Sequence, residues 1–171
     1  MSARSSIYIA FGANLASPHD NFVRAVLLLQ RRGVKLSAAS GLWQSPAWPA
    51  GTSQPDYINA CARVEFDGAA RQLLSLLHEV EAEMGRKRGA LNTAREIDLD
   101  LIDFKGQIIS SADIIIPHPR LIHRGFVLFP LSQIAPNWID PNSERSIDQL
   151  IARLSLETVR PMRALGRRSF I

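Results

Sequence analysis

The chain has 171 residues, 46% of them hydrophobic, with 20 Lys and Arg against 16 Asp and Glu and a single cysteine. That length suffices for one domain with a real core, its apolar content excludes a disordered or collagen-like chain, and no apolar run nears the ~20 residues that cross a bilayer. The net charge of +4 does not make a basic face, because Arg160, Arg163, Arg167 and Arg168 lie in the acid-free stretch 158–171 and leave 16 charges of each sign in 1–157.

Ile7 to Phe11 reads as a buried strand ended by Gly12-Ala13-Asn14. Ser17 is placed to cap a helix that begins at Pro18, runs to about Arg32 with Phe22, Val23, Val26, Leu27 and Leu29 on one stripe, and stops at Gly33. Residues 34–43 suit a second strand, and 44–56, with three prolines and a glycine, a loop long enough to have a task. Tyr57 to Phe66 alternates, with Ile58, Ala60, Ala62, Val64 and Phe66 on one face and Tyr57, Asn59, Cys61, Arg63 and Glu65 on the other.

A second helix is expected over Ala69–Met84, ended by Gly85; a charged loop, 86–94, follows it. Glu96 to Ile102 alternates again, 107–116 suits short strands, Pro117-His118-Pro119-Arg120 turns into a short helix, and a last helix is expected near Ser146–Leu154. The order strand, helix, strand, strand, helix, strand predicts an α+β fold with a ferredoxin-like βαββαβ core: a mainly antiparallel sheet with helices packed on it. The expected domain is 1–157, with 158–171 a basic C-terminal tail.

Asp98 and Asp100 are the sharpest local signal. Two apart on a strand, they share a face with Cα atoms about 7 Å apart, an arrangement suited to Mg²⁺ and phosphate oxygens. On the spacing alone, a half-exposed strand whose polar face happens to be acidic is the more usual reading. The neighbours shift the balance: Arg86, Lys87, Arg88 and Arg95 lie just upstream, and arginine forks beside a metal suit phosphoryl transfer. No Walker or dinucleotide glycine motif occurs, so a triphosphate would be held by arginine and metal. Trp48, Tyr57 and Asn59 suit a flat heterocycle, or simply cover an edge and tie down a loop. Cys61 reads as packing and the lone His118 as structural, and one cysteine with no apolar signal-peptide core points to a reducing cytoplasm.

Four stretches, Ile9-Ala10-Phe11-Gly12-Ala13-Asn14-Leu15, Gln54-Pro55-Asp56-Tyr57-Ile58-Asn59-Ala60, Gly85-Arg86-Lys87-Arg88 through Arg95-Glu96-Ile97-Asp98-Leu99-Asp100, and Pro117-His118-Pro119-Arg120 through Arg124-Gly125-Phe126, occur in order at suitable spacing. Together they resemble the 6-hydroxymethyl-7,8-dihydropterin pyrophosphokinase family of folate biosynthesis, over roughly 7–155. The resemblance implies transfer of the β,γ-diphosphate of ATP to the pterin hydroxymethyl oxygen, with release of AMP. It implies two Mg²⁺ ions on Asp98 and Asp100, and a catalytic group of Arg86, Arg88, Arg95, Asp98 and Asp100. Glu81, His118 and Arg124 would join the three loop arginines at ATP, with Leu101 beside the adenine. Ser45, Pro46, Trp48, Tyr57, Asn59, Asp98 and Phe126 would frame the pterin. Some members carry Trp where this chain has Asn92, Gln where it has His78, and a smaller aliphatic residue where it has Trp48.

A monomer acting on ATP and hydroxymethyldihydropterin, with no nucleic acid or membrane partner, is therefore expected. A ferredoxin-like nucleic-acid module using Arg160–Arg168 as a basic arm is the alternative from another class, and an inactive relative kept for partner binding is a third.

Overall fold

The computed structural model describes residues 5–47, 53–86, 94–166 and 170–171. The long strands are β1 (Ile7–Ala13), β4 (Tyr57–Glu65) and β5 (Asp98–Phe104), and the long helices are α1 (Pro18–Arg31) and α2 (Ala70–Glu83). Between α1 and β4 lie β2 (Lys35–Ala39) and β3 (Trp43–Ser45). After β5 come the hairpin β6 (Ile109–Ser110) and β7 (Ile115–Ile116), a 3-10 turn at Leu121–His123, α3 (Gly125–Ile134), α4 (Ile147–Ile151), α5 (Leu156–Val159) and β8 (Arg163–Ala164).

The main sheet runs β5-β1-β4-β3-β8, every pair antiparallel, with β2 also on β4. This is the ferredoxin-like order that βαββαβ predicts, with the second strand divided between β2 and β3. Gly33, at φ +82°, ends α1 as expected, and Gly85, at φ +94°, ends α2, a left-handed turn that costs glycine little. Ser17 stands at the N-cap of α1 but makes no side-chain cap bond.

The alternation in β1, β4 and β5 sorts their side chains between two layers. Ile7, Ile9, Phe11, Ala60, Ala62, Val64, Leu99 and Leu101 face α1 and α2 and form the larger core. Tyr8, Ala10, Cys61 and Ile102 face the other way and are covered by α3 and α4 through Val127, Leu128, Leu131 and Ile147. A register shift between Tyr8 and Ile9 marks a bulge in β5 that turns Asp103 to this second layer, where its carboxylate accepts from Trp138 Nε1 at 2.7 Å and Gly106 N at 2.9 Å. Burial raises the pKa of Asp103 despite those bonds. The Cys61 thiol is fully enclosed and its pKa is pushed up by the same cause, which suits a packing role.

Four expectations change. The loop expected over 44–56 starts later, because Gln44 and Ser45 pair with β4 as part of β3. β5 begins at Asp98, two residues after the expected start, and the helix expected near Ser146–Leu154 is the shorter α4, whose cap Ser146 accepts from Gln149 N at 3.3 Å, with α5 following it. The stretch read as a basic tail is not separate from the fold. Arg163 and Ala164 pair with Gln44 and Trp43, and Phe170 is 2% exposed, with its ring 5.2 Å from that of Phe11 and 5.4 Å from that of Phe22. Arg167, Arg168, Trp48, Lys87, Arg88 and Asn92 lie outside the described residues.

Candidate active site

α3 covers only part of its sheet face. Beyond its edge, pairing brings Trp43, Asn59, Gly12 and Asp98 into one row on that face, with Ser45 opposite Tyr57 on one side of the row and Cys61, Ala10 and Asp100 on the other. Gly12 makes the row a floor. A Cβ there would stand 3.7 Å from Asn59 Oδ1 and Asp98 Cβ and 3.8 Å from Tyr57 Cδ1, filling the space between them.

Asn59 is buried and its amide is oriented by its partners. Nδ2 donates to Ser45 Oγ at 2.9 Å and to the Trp43 carbonyl at 3.3 Å, and a carbonyl accepts only, so Oδ1 is turned away from them. Trp43 stacks on Phe129 of α3, ring centroids 5.0 Å apart and 14° between planes, closing the covered end of this row. Phe126 lies under the Arg124 guanidinium at 5.4 Å, and Pro46 is exposed at the start of the loop.

The predicted charges meet. Arg86 Nη1 stands 2.8 Å and Arg95 Nη1 3.1 Å from Asp98 Oδ1, and Arg124 Nη1 is 2.9 Å from Asp100 Oδ2. His118 Nε2 is 4.0 Å from the same Asp100 oxygen, and burial lowers the His118 pKa against the pull of that carboxylate. Asp98 holds the Arg95 guanidinium firmly protonated against its burial. Burial likewise raises the Tyr57 phenol.

Asp100, Leu101 and His118 line a cavity of about 330 Å³ with Leu74, His78 and Ile114. Glu81 does not line it. This α2 carboxylate is 3% exposed, accepts from Leu99 N on the open edge of β5 at 2.7 Å, and binds Arg86 through the same oxygen. It therefore anchors both a strand edge and an arginine of the loop. A second cavity, about 350 Å³, lies at the far end of β5 between Gly68–Arg71 and Phe104–Lys105 and holds none of the predicted residues.

Burial is the largest influence on Glu81 and raises its pKa from 4.5 to about 7, outweighing the Leu99 N–H and Arg86. The folded chain therefore binds a proton more readily than the unfolded chain between those values, and stability falls as pH rises through that window. Thermal melts from pH 4.5 to 7 should show the wild type losing stability relative to Glu81→Gln as pH increases. A constant difference would remove that linkage.

One connector escaped sequence reasoning. Asn14, 4% exposed, donates from Nδ2 to the Pro55 carbonyl at 3.1 Å, accepts from Arg95 N at 2.8 Å, and its own N–H donates to the Arg95 carbonyl at 3.1 Å. It joins the loop before Tyr57 to the end of the arginine loop. An amide just after a strand is one turn residue among many until its distant partners are known. Trp43 and Gly12 were likewise legible only as strand and turn residues.

Among the described residues, no cluster of three or more His, Cys, Asp or Glu could hold a metal ion. Two partly exposed carboxylates, Asp98 and Asp100, suit a hard ion that completes its oxygen shell from a bound phosphate. Aspartates flanked by three arginines, beside an open cavity on one side and an aromatic–amide row on the other, suit a polyphosphate and a flat heterocycle meeting end to end.

Comparison with known proteins agrees. The family model described as 7,8-dihydro-6-hydroxymethylpterin-pyrophosphokinase matches residues 8–136. The chain is 36% identical over 155 residues to a 2-amino-4-hydroxy-6-hydroxymethyldihydropteridine pyrophosphokinase of Synechocystis, covering 90% of this chain and 78% of that one. It is 33% identical over 155 residues to the Pseudomonas aeruginosa protein of the same name, covering 90% and 94%. Folic acid synthesis protein FOL1 of Dictyostelium discoideum is 36% identical over 135 residues, 79% of this chain but only 20% of its own length. A crystal structure of an HPPK-DHPS in complex with substrates superposes with a TM-score of 0.66 at 13% identity, covering 86% of this chain and 43% of that one, and shows the shared fold.

Proposed function

The chain belongs to the 7,8-dihydro-6-hydroxymethylpterin-pyrophosphokinase family, and on that footing we propose that it transfers the β,γ-diphosphate of ATP to the hydroxymethyl oxygen of 6-hydroxymethyl-7,8-dihydropterin in folate biosynthesis. The observation that carries the reading at this site is the convergence of Arg86, Arg95 and Arg124 on Asp98 and Asp100.

In this reading the base of ATP enters the cavity beside Leu101 and His118, and its triphosphate runs past Asp100 and Asp98 toward the Asn59 row. Asn59, its Nδ2 committed to Ser45 and Trp43, presents Oδ1 to an N–H of the pterin. Tyr57 and Phe126 enclose the ring over the Gly12 floor, framed by Ser45, Pro46 and Asp98. Arg86, Arg95 and Arg124 exchange aspartate for phosphate oxygens when ATP arrives; Glu81 keeps the β5 edge in place as Arg86 leaves. Arg88 and Trp48 are assigned to the ATP and pterin sites on the resemblance alone.

Mg²⁺, two ions held by Asp98 and Asp100, would neutralise the triphosphate and the charge that develops on it. The hydroxymethyl oxygen attacks the β-phosphorus in line, its proton passes to water, the bond from that phosphorus to the α,β-bridging oxygen breaks, and AMP leaves. The side chains act chiefly by orientation and charge.

We take the protein to be a cytoplasmic monomer: the proposed sites for both substrates lie within one chain, and its single cysteine can form no internal disulfide. Among the described residues no helix is long and apolar enough to cross a membrane. Incubation with Mg²⁺, ATP and hydroxymethyldihydropterin should yield AMP and a diphosphorylated pterin, read by chromatography of both products. ADP in place of AMP, or no turnover, would overturn the assignment.

A further inference from the structure

Beyond residue 136, where the family match ends, the chain turns back onto the edge of the sheet that carries Ser45. β3 is only three residues long, and a strand that short holds poorly as a free edge. One side of β3 pairs with β4, setting Trp43 opposite Asn59 and Ser45 opposite Tyr57. On its other side Ala164 pairs with Trp43 and Arg163 with Gln44, Leu165 N donates to the Leu42 carbonyl at 2.9 Å, and Leu42 N donates to the Gly166 carbonyl at 3.3 Å.

The segment is tied at both ends, in different layers. Thr158 lies against Gly125 of α3, where a Cβ would meet Thr158 Cγ2 at 3.2 Å. Phe170 is buried on the opposite side of the sheet, against Phe11 and Phe22. Gly41 leaves room for the crossing: a Cβ there would stand 2.9 Å from the Gly166 carbonyl oxygen. This approach tolerates no added side chain without a backbone shift.

We propose that Arg163–Gly166, anchored by Phe170, is a clamp that positions β3 and so sets the affinity of the heterocycle site. Without it β3 is held from one side only, by β4, and the 2.9 Å bond from Asn59 to Ser45 that orients the amide loosens. The nucleotide cavity lies against β5, at the other end of the strand order, and does not depend on this edge. The proposal rests on the pyrophosphokinase reading only for the identity of the heterocycle.

The test uses the full chain with Leu165→Pro, which removes the N–H donated to Leu42, and Leu165→Ala, which retains it; Leu165 is 44% exposed, so neither opens the core. Gly41→Ala pushes on the clamp from the opposite side. In Leu165→Pro and Gly41→Ala the KM for hydroxymethyldihydropterin should rise about five- to tenfold, the loss of one or two hydrogen bonds, with the KM for ATP within about twofold. Amide exchange at Leu42–Ser45 should speed up in the same two variants, and Leu165→Ala should match the wild type in every readout. An equal rise in both KM values, or faster exchange with the pterin KM unchanged, would overturn the positioning role. Unaltered exchange at Leu42–Ser45 would overturn the clamp itself. Should the wild type not turn these substrates over, the substrate assignment falls, and exchange alone decides the clamp.

Discussion

Asp98→Asn and Asp100→Asn should each lower kcat by at least roughly 10²-fold while the protein stays folded, the size of loss seen when one charge-stabilising group leaves an active site. Both side chains are about one-third exposed, 29% and 32%, so the near-isosteric change of carboxylate to amide leaves no void. The substituted amides still accept a hydrogen bond from their arginines. They no longer supply the negative charge that a divalent ion requires: Asp98→Asn takes one carboxylate from Arg86 and Arg95, Arg86 keeping Glu81, and Asp100→Asn takes one from Arg124. Nucleotide binding should therefore weaken less than turnover, because the phosphates still find the guanidinium groups. Single-turnover kinetics with a Mg²⁺ titration, beside a thermal melt of each variant, reads both quantities. Near-normal rates in both variants would remove the metal role from this pair.

Trp138→Ala is expected to cost about 3–5 kcal/mol of stability, the usual range for emptying a large buried aromatic site. Trp138 is 1% exposed and packs in the second core beneath α3 and α4, and its Nε1 is the donor to the buried Asp103. Truncation leaves both a cavity and a carboxylate with Gly106 N as its remaining neighbouring donor from outside the strand. Trp138→Phe keeps a six-membered ring and so leaves a smaller void while also removing the donor, the unpaired carboxylate alone costing about 1–3 kcal/mol. For a chain of this size each kcal/mol shifts Tm by about 2–4 °C, so calorimetry resolves the pair. Equal Tm values for Trp138→Phe and the wild type would show that the Asp103 bond contributes nothing.

Much of the fold was legible because it is periodic. The alternation from Tyr57 to Phe66 correctly divided β4 between its two layers, and the apolar stripe between Pro18 and Arg32 marked α1 within a residue of its ends. Gly33 and Gly85 were recognisable as stops because a helix end commonly takes a positive φ there. The division of 34–45 into β2 and β3 was not visible, since both strands are short and their start and stop are set by pairing with β4.

At the candidate site, the spacing of Asp98 and Asp100 and the nearby arginines announced a charged centre, and the four motifs named the family. The partners were another matter. Which aspartate each arginine meets depends on how α2, α3 and β5 pack. Glu81, expected beside ATP, is held at the edge of β5 by the Leu99 N–H, 18 positions away. Asn14 meets Pro55 and Arg95 across 41 and 81 positions.

The C-terminal stretch shows the same division. By composition it has four arginines and no acid, and it read as a basic tail. In the structure its informative residues are apolar or small, Ala164, Leu165, Gly166 and Phe170, which pair along β3 and fill a gap between Phe11 and Phe22. Charge, periodicity and motif are local properties, so the sequence alone determined the fold class, the acidic face of β5 and the family. Edge pairing, the orientation of the Asn59 amide and the burial of Phe170 depend on contacts between segments far apart in the chain. Those contacts exist only once the sheet has formed, and the tertiary structure decided them.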